Sequence, residues 1–158
     1  GATFDVYLPA SRLPAPAVAP PSHPATVRRS ARVLVMDDEP ALRDVVAIIL
    51  RGSGLEVDLV ADGAAAVSSY REALAEGRRY AAVLLDLTVP GGMGGLEAIR
   101  ELRAVDPEVR AIVASGYAAD PVLSNAREHG FMGSVVKPFT AEELDEVVSQ
   151  VLSGATVG

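Results

Sequence analysis

The sequence predicts an α/β protein in which a doubly wound parallel β-sheet carries helices on both faces. From residue 31 onwards, short runs of β-branched residues alternate with longer stretches of helical periodicity, and five such units follow one another. The chain is 49% hydrophobic but only 4% aromatic, so its core is predicted to consist of Val, Leu, Ile and Ala. Residues 81–85 are apolar throughout, as expected for a central parallel strand that is buried on both faces.

The first unit is a predicted strand over residues 32–36 followed by a helix with Pro40 in its first turn. Proline suits that position because its fixed φ angle matches a helix and its missing N–H costs no hydrogen bond there. Gly52 and Gly54 are predicted to end the helix. The spacing of apolar residues predicts a buried face of Leu42, Val45, Val46, Ile49 and Leu50.

The second and third units lead to a single aspartate at the end of a buried strand. The predicted elements are a strand over 56–61, a helix from Asp62-Gly63 to near Gly77, a strand over 81–86, a Gly-rich loop over 90–95 and a helix over 96–105. Asp106-Pro107 stops the last of these helices, because the residue before proline disfavours helical geometry. Asp86 is therefore predicted to lie at the carboxyl end of the third strand.

The fourth and fifth units complete the predicted sheet. A strand over 110–114 precedes a helix that begins near Pro121 and ends at His129-Gly130, and the last strand covers 134–136. Thr140 followed three residues later by Glu143 is a capping box, which marks the start of the final helix. The apolar face of that helix is predicted to consist of Leu144, Val147, Val148, Val151 and Leu152.

The segment before residue 31 has a different composition. Pro, Ala and Ser dominate residues 9–30, which predicts an unpacked linker, and the small basic cluster of Arg28, Arg29 and Arg32 is interpreted as the end of that linker. The predicted organisation is a strand remnant of another domain at 1–8, the linker at 9–30, one folded domain at 31–153 and a tail at 154–158.

Charge and composition exclude several classes of function. The net charge of −7 argues against a nucleic-acid surface, which needs clustered Lys and Arg to neutralise phosphates. The absence of cysteine excludes disulfides, thiolate metal sites and cysteine nucleophiles. No apolar run approaches the roughly 20 residues of a membrane span, and the first residues lack the features of a secretory signal. A cytoplasmic location is the expectation that follows.

Polar residues follow the predicted strands at the edge of the sheet where ligands bind in this fold class. They are Asp37, Asp38 and Glu39 after strand one, Asp86 and Thr88 after strand three, Ser115 after strand four and Lys137 after strand five. Most of them are ordinary when taken alone, since an acidic start suits the dipole of a helix and Ser-Gly suits a turn, but Asp86 alone would be an odd charge after a buried strand. Their occurrence at successive strand ends predicts a site.

Three neighbouring carboxylates repel one another unless a cation lies among them. Mg²⁺ fits because it prefers oxygen ligands, keeps several waters and commonly uses one or two carboxylates. Asp38 and Asp86 are predicted to bind the ion directly, and Asp37 is predicted to act through water. The backbone carbonyl of Thr88 is the expected further ligand.

The same residues predict a site for phosphoryl transfer. A carboxylate such as Asp86 can attack phosphorus and form an acyl phosphate if the charge on the phosphoryl oxygens is neutralised. Lys137 supplies a positive charge, Ser115 supplies a hydroxyl donor, and Gly116 leaves space for the phosphoryl group.

At these motifs the chain resembles the receiver domain of response regulators, over residues 31–153. The resemblance rests on Val-Leu-Val-Met-Asp-Asp-Glu from Val33, Leu-Leu-Asp-Leu-Thr-Val-Pro-Gly-Gly-Met-Gly-Gly from Leu84, Ala-Ser-Gly-Tyr from Ala114 and Val-Lys-Pro-Phe from Val136. It implies a flavodoxin-like (βα)5 sheet with strand order 2-1-3-4-5. It also implies that the protein takes a phosphoryl group from the phosphohistidine of a histidine kinase or phosphotransfer domain and then hydrolyses it slowly. Separately from the resemblance, we expect the protein to be a monomer.

The resemblance assigns a role to each site residue. Asp37 and Asp38 would bind Mg²⁺, Asp86 would accept the phosphoryl group, Ser115 would be the switch hydroxyl and Lys137 the active-site lysine. Many receivers carry Tyr or Phe three residues before this lysine, where the present chain has Ser134. Coupling through a moving aromatic ring is therefore not expected in its usual form.

A second, shorter resemblance concerns the first residues. Gly-Ala-Thr-Phe-Asp-Val-Tyr-Leu-Pro is similar to the closing strand of a histidine-kinase ATP-binding domain, which implies that the chain is the C-terminal part of a hybrid histidine kinase.

Two alternatives remain open from the sequence. One is a pseudo-receiver that serves as an interaction module without phosphorylation. The other is an aspartate-nucleophile phosphatase of the haloacid-dehalogenase type, which needs a second Asp two residues after the nucleophile, where this chain has Thr88.

Overall fold

The computed structural model describes residues 31–154, which form a five-stranded parallel sheet with strand order β2-β1-β3-β4-β5. The predicted fold class and strand order are thereby confirmed. The predicted strand remnant at 1–8, the linker at 9–30 and all but the first residue of the tail lie outside the described residues. No helix of the described part is long and apolar enough to cross a membrane.

Ten elements alternate along the chain as the sequence predicts. The strands are β1 (Arg32–Met36), β2 (Glu56–Val60), β3 (Ala82–Asp86), β4 (Ala111–Ser115) and β5 (Gly133–Val136). The helices are α1 (Pro40–Gly52), α2 (Gly63–Ala75), α3 (Gly95–Val105), α4 (Pro121–Ser124) and α5 (Ala141–Leu152). The predicted capping box is present at α5, where the Thr140 hydroxyl accepts from the Glu143 amide and the Glu143 carboxylate accepts from the Thr140 amide.

The sheet separates two hydrophobic layers because alternate residues of each strand point to opposite faces. In β1, Leu34 and Met36 pack into the layer that contains α2 and α3, whereas Val33 and Val35 pack into the layer that contains α1 and α5. The central strands are buried along their whole length, so their sequences show no alternation of polar residues.

The position of the functional edge follows from the direction of winding. The chain adds β2 on one side of β1 and β3 on the other, so the order reverses between β1 and β3. Parallel strands bring their carboxyl ends to the same edge, and the loops that leave β1 and β3 there diverge to opposite faces. Asp37 and Asp86 meet at this point.

The predicted fourth helix is wrong in length. Only Pro121–Ser124 is helical, and the amides of Glu128, His129 and Gly130 bond to carbonyls three residues back instead of four. Asn125 follows the helix, and its side-chain amide donates to the Pro121 carbonyl at 3.2 Å. Asparagine disfavours helix continuation because its side chain competes for backbone partners in this way.

The predicted buried face of α1 is wrong at one residue. Val45 is half exposed, whereas Val46, Leu50 and the unpredicted Ala47 are buried. Successive helical residues are separated by about 100°, so a stripe centred between Val46 and Leu50 places Val45 at its border. Elsewhere the predicted strands agree with the structure to within one residue at either end.

Candidate functional site

Three backbone hydrogen bonds hold the loops that leave the strand ends. The Asp37 amide donates to the Val60 carbonyl at 3.2 Å, which ties the end of β1 to β2. On the other side, the Leu87 amide donates to the Ala114 carbonyl and the Lys137 amide donates to the Ser115 carbonyl, each at 2.8 Å. The sheet therefore sets the spacing of the predicted site residues.

Asp37 is buried, and all four of its polar atoms have protein partners. Besides the amide bond to β2, its Oδ1 accepts from the Glu39 amide at 2.9 Å, and its Oδ2 accepts from Lys137 Nζ at 2.5 Å. Its carbonyl accepts from Arg43 Nη1 at 2.6 Å. Asp37 is thus held rigidly, with its carboxylate already shared between an amide and a lysine.

Asp38 has the opposite character. Its side chain is exposed and makes no hydrogen bond or ion pair with any residue in 31–154. One carboxylate oxygen from each of Asp37, Asp38 and Asp86 lies within 4.8 Å of the other two. An unpaired carboxylate beside two buried ones is a donor set that fits a hard divalent cation such as Mg²⁺.

Asp86 and Lys137 form the electrostatic centre of the site. Lys137 Nζ lies 2.9 Å from Asp86 Oδ1 and so bridges Asp86 and Asp37. Burial raises the pKa of Asp86 above its ordinary value, while Lys137 opposes that rise. Burial by itself lowers the pKa of Lys137, but its bonds to Asp37 and Asp86 outweigh this and leave the pKa raised.

Ser115 is buried at the end of β4, and its hydroxyl oxygen accepts from the Tyr117 amide at 3.2 Å. That bond leaves the hydroxyl hydrogen available for a further acceptor. The space around Gly116 is open, because a Cβ placed there would meet nothing within 4 Å. The backbone beside Ser115 is therefore not crowded, which is compatible with the prediction of room for a phosphoryl group there.

The loop after Asp86 returns tightly onto the end of its own strand. A Cβ on Gly95 would lie 2.7 Å from the Asp86 carbonyl oxygen, and one on Gly94 would lie 2.6 Å from that of Leu87. Only glycine permits such an approach, so the Gly-rich sequence of this loop has a packing reason. Thr88, the predicted source of a backbone ligand, is exposed at the start of this loop.

The structure brings Asp37, Asp38, Asp86 and Lys137 together, and it places Ser115 at the neighbouring strand end. Arg43 was not predicted to belong to the site. Arg43 bonds to the backbone carbonyl of Asp37, and such a bond requires no particular side chain at position 37. The sequence therefore contains no motif that would reveal it. The only signal was a basic residue near the start of a helix that acidic residues precede.

Ser134 lies in β5 beside a cleft. The cleft has a volume of about 300 Å³ and is lined by Ser134, Met132, Leu123 and neighbouring residues of the 123–128 segment. Tyr117 is two-thirds exposed and does not line it. Phe131 is buried in the layer of α2 and α3.

Comparisons with known proteins identify the family to which the chain is similar. Residues 33–149 match the family model described as the response regulator receiver domain. The chain is 31% identical to the chemotaxis protein CheY of Bacillus subtilis over 123 residues, which cover 77% of this chain and 98% of CheY. It is 36% identical to the DNA-binding response regulator MtrA of Mycolicibacterium smegmatis over 113 residues, 72% of this chain. The chain spans about half the length of MtrA, since the match covers 46% of that protein.

Solved structures show the same fold. The receiver domain of the sensor histidine kinase PA1611 from Pseudomonas aeruginosa superposes with a TM-score of 0.68 and 31% identity. The match covers 80% of this chain and 99% of the PA1611 receiver, whose structure has a magnesium ion coordinated in the active site cleft. A response regulator of the LuxR family from Aurantimonas superposes with a TM-score of 0.70 and 31% identity, over 80% of this chain and 88% of that one.

Proposed function

The chain belongs to the response regulator receiver family, and on that premise we propose that it accepts a phosphoryl group on Asp86 in a two-component phosphorelay. The observation that carries the proposal is the bridge of Lys137 between Asp86 and Asp37, with Asp38 unpaired beside them. This arrangement puts two carboxylates, including that of Asp86, in reach of a lysine cation and leaves a third for a metal ion. The donor is the phosphohistidine of a histidine kinase or a phosphotransfer domain.

In the proposed reaction an Asp86 carboxylate oxygen forms a bond to phosphorus while the bond from phosphorus to the donor nitrogen breaks, and the imidazole leaves with the electron pair. Lys137 stays within reach of Asp86 and neutralises charge on the phosphoryl oxygens. The Ser115 hydroxyl donates to one of those oxygens. Water later attacks the phosphorus and releases phosphate, which restores the carboxylate.

Asp38, Asp86 and the carbonyl of Thr88 are the residues that would hold Mg²⁺, with Asp37 acting through water. When bound, the ion supplies positive charge that offsets the carboxylates and the transferring phosphoryl group. Asp37 suits the indirect role because its two carboxylate oxygens already accept from Glu39 and Lys137. The magnesium ion in the active site cleft of the related PA1611 receiver supports the choice of ion.

We further propose that the chain is the receiver part of a hybrid histidine kinase. The support is the short resemblance of residues 1–9 to the closing strand of a kinase ATP-binding domain and the likeness to the PA1611 receiver. In that setting the receiver would exchange phosphate with a kinase or phosphotransfer domain.

The proposal is tested by intact-mass measurement after incubation with Mg²⁺ and acetyl phosphate. We expect one added phosphoryl group in the wild type and none in Asp86→Asn, which removes the nucleophile at nearly constant volume. Asp44→Asn, a change of the same kind on the exposed side of α1, is the matched control and should be phosphorylated like the wild type. Equal phosphate incorporation in Asp86→Asn would refute the assignment of Asp86. A wild type that takes no phosphate with Mg²⁺ would favour the interaction-module alternative.

A further inference from the structure

Arg43 makes an unusual contact for a surface arginine. It is the fourth residue of α1, and its Nη1 donates to the Asp37 carbonyl at 2.6 Å. Within residues 31–154 this is the only hydrogen bond of its side chain, and the guanidinium forms no ion pair there. A charged group that would ordinarily pair with a carboxylate is thus held on a neutral carbonyl at the border of the acidic site.

The Asp37 carbonyl begins the turn that presents Asp38. Since the Asp38 side chain has no partner in the described part of the chain, the backbone of residues 37–39 sets its direction. Bonds to Val60, Glu39 and Lys137 fix the amide and the carboxylate of Asp37. Arg43 is the described side chain that fixes its carbonyl.

The positive charge of Arg43 also helps to hold the turn at residues 37–39 in place, as its hydrogen bond does. Asp37, Asp38 and Asp86 come within 4.8 Å of one another, and Lys137 is the cation in direct contact with two of them. A second cation on the carbonyl of Asp37 reduces the repulsion that would otherwise open the turn. A charge-assisted bond to a carbonyl is also stronger than a neutral one.

We propose that Arg43 is a positioning residue of the metal site, which acts through the Asp37 carbonyl to hold Asp38 in the orientation that binds Mg²⁺. The inference rests on the proposed function, because it assumes that Asp38 is a metal ligand. Groups that orient metal ligands from outside commonly change metal affinity by about 10–100-fold when removed.

The test compares two arginines of the same helix. Arg51, in the last turn of α1, also donates to a backbone carbonyl, that of Val57 at 2.9 Å, but it lies away from the site. Arg43→Met and Arg51→Met each keep most of the apolar stem and remove the donor. Arg43→Lys keeps a donor and a charge. Mg²⁺ affinity is measured by calorimetric titration, and urea unfolding without Mg²⁺ shows whether each variant is folded.

We expect Arg43→Met to bind Mg²⁺ about tenfold more weakly, Arg43→Lys to recover most of that loss, and Arg51→Met to bind like the wild type. Acetyl phosphate labelling of Arg43→Met should be slow at limiting Mg²⁺ and should return to the wild-type rate at saturating Mg²⁺. A purely structural role would not produce this dependence on Mg²⁺ concentration.

Wild-type affinity in Arg43→Met, or an equal loss in Arg43→Met and Arg51→Met, would overturn the inference. If Arg43→Met does not fold, Arg43→Gln gives the same comparison. A wild type that binds no Mg²⁺ and takes no phosphate would instead refute the proposed function, so the two failures are distinguishable.

Discussion

At the scale of single residues, the aspartates of the site differ in whether their side chains have protein partners. Asp37 is buried with every polar atom bonded, whereas Asp38, the next residue, is exposed and has no side-chain partner among the described residues. A carboxylate without protein partners beside two others adds repulsion to the folded state. The position of Asp38 is therefore explained by cation binding and not by a contribution to the stability of the fold.

This contrast predicts opposite effects of two alanine substitutions. Asp38→Ala should weaken Mg²⁺ binding strongly. Its free energy of unfolding without Mg²⁺ should be unchanged or should rise by up to about 1 kcal/mol. Asp37→Ala should weaken Mg²⁺ binding less but lower the free energy of unfolding by about 1–3 kcal/mol, because the partly buried Lys137 loses one of two partners. Urea unfolding and calorimetric titration of the same preparations measure both quantities. Weaker Mg²⁺ binding in Asp37→Ala than in Asp38→Ala would contradict the division of roles.

Sequence reasoning predicted which side chains meet at the site but not how they share partners. Strand-end positions are enough to predict which side chains meet, because parallel strands bring their last residues to the same edge of the sheet. Which of these side chains bond to one another depends on their conformations, which the strand-end positions do not determine. Lys137, assigned to the phosphoryl group from its position, is closer to Asp37 than to Asp86.

At the scale of elements, a buried polar network joins α2 to the end of α3. The hydroxyl of Tyr70, on α2, donates to Asp106 Oδ2 at 2.6 Å, and Arg79 lies 2.7 Å from the same oxygen. Tyr80, which precedes β3, donates in the same way to Asp58 Oδ2 at 2.7 Å. Burial and a hydrogen bond to a carboxylate raise the pKa of each tyrosine to about 12.

These raised pKa values predict a loss of stability at alkaline pH. A group whose pKa is higher in the folded state contributes stability that is complete below its unfolded pKa of 10.0 and is lost as pH rises towards about 12. The expected loss is on the order of 2–3 kcal/mol for Tyr70. It is smaller for Tyr80, because solvent screens its exposed partner Asp58. Lys137, whose pKa is also raised, adds to the loss in the same direction. Urea unfolding below pH 10 and near pH 12 measures it.

Tyr70→Phe and Tyr80→Phe should each flatten this dependence, and Tyr70→Phe should also cost about 1 kcal/mol at neutral pH. Tyr117→Phe is the matched control, because its ring is two-thirds exposed and its hydroxyl forms no hydrogen bond with the described residues. An alkaline loss of stability that is equally steep in the wild type and in the two buried-tyrosine variants would exclude this explanation.

The elements themselves were predictable where one strong pattern acts alone. The capping box fixed the start of α5, and the apolar run of β3 fixed a central strand. The length of α4 was not predictable, because Asn125 competes with the helix through a side-chain bond that a periodicity pattern does not contain. The position of Val45 at the border of the buried stripe likewise depends on how α1 is rotated against the sheet.

At the scale of the whole molecule, the strand order came with the family resemblance and not with the periodicity. Alternating strands and helices indicate a parallel sheet but permit several orders of strands. The observed order places the switch point between β1 and β3, and this is why residues from opposite halves of the sequence, such as Asp37 and Lys137, come into contact.

Phosphorylation is not expected to make this protein self-associate. A stable interface commonly buries more than about 1,000 Å² and has an apolar centre. The α4, β5 and α5 face offers little for this, because α4 is a single turn, a cleft lies beside Ser134, and Val136 is its only exposed large hydrophobic residue among those described. We therefore expect phosphorylation to change the loops after Asp86 and Ser115 without producing a dimer.

Sedimentation velocity with Mg²⁺, with and without beryllofluoride as a phosphoryl mimic, measures this directly. The wild type should remain a monomer in both states, while amide NMR shifts should report changes in the loops near Thr88 and Ser115. Asp86→Asn is the control, because it should lose the shifts caused by the mimic. A tight dimer that forms only with the mimic and is lost on substitution within α4 would show that this face transmits the signal after all. Such a dimer would require the segment from Pro121 to reorganise on phosphorylation, since the contacts that favour one state must differ between the two.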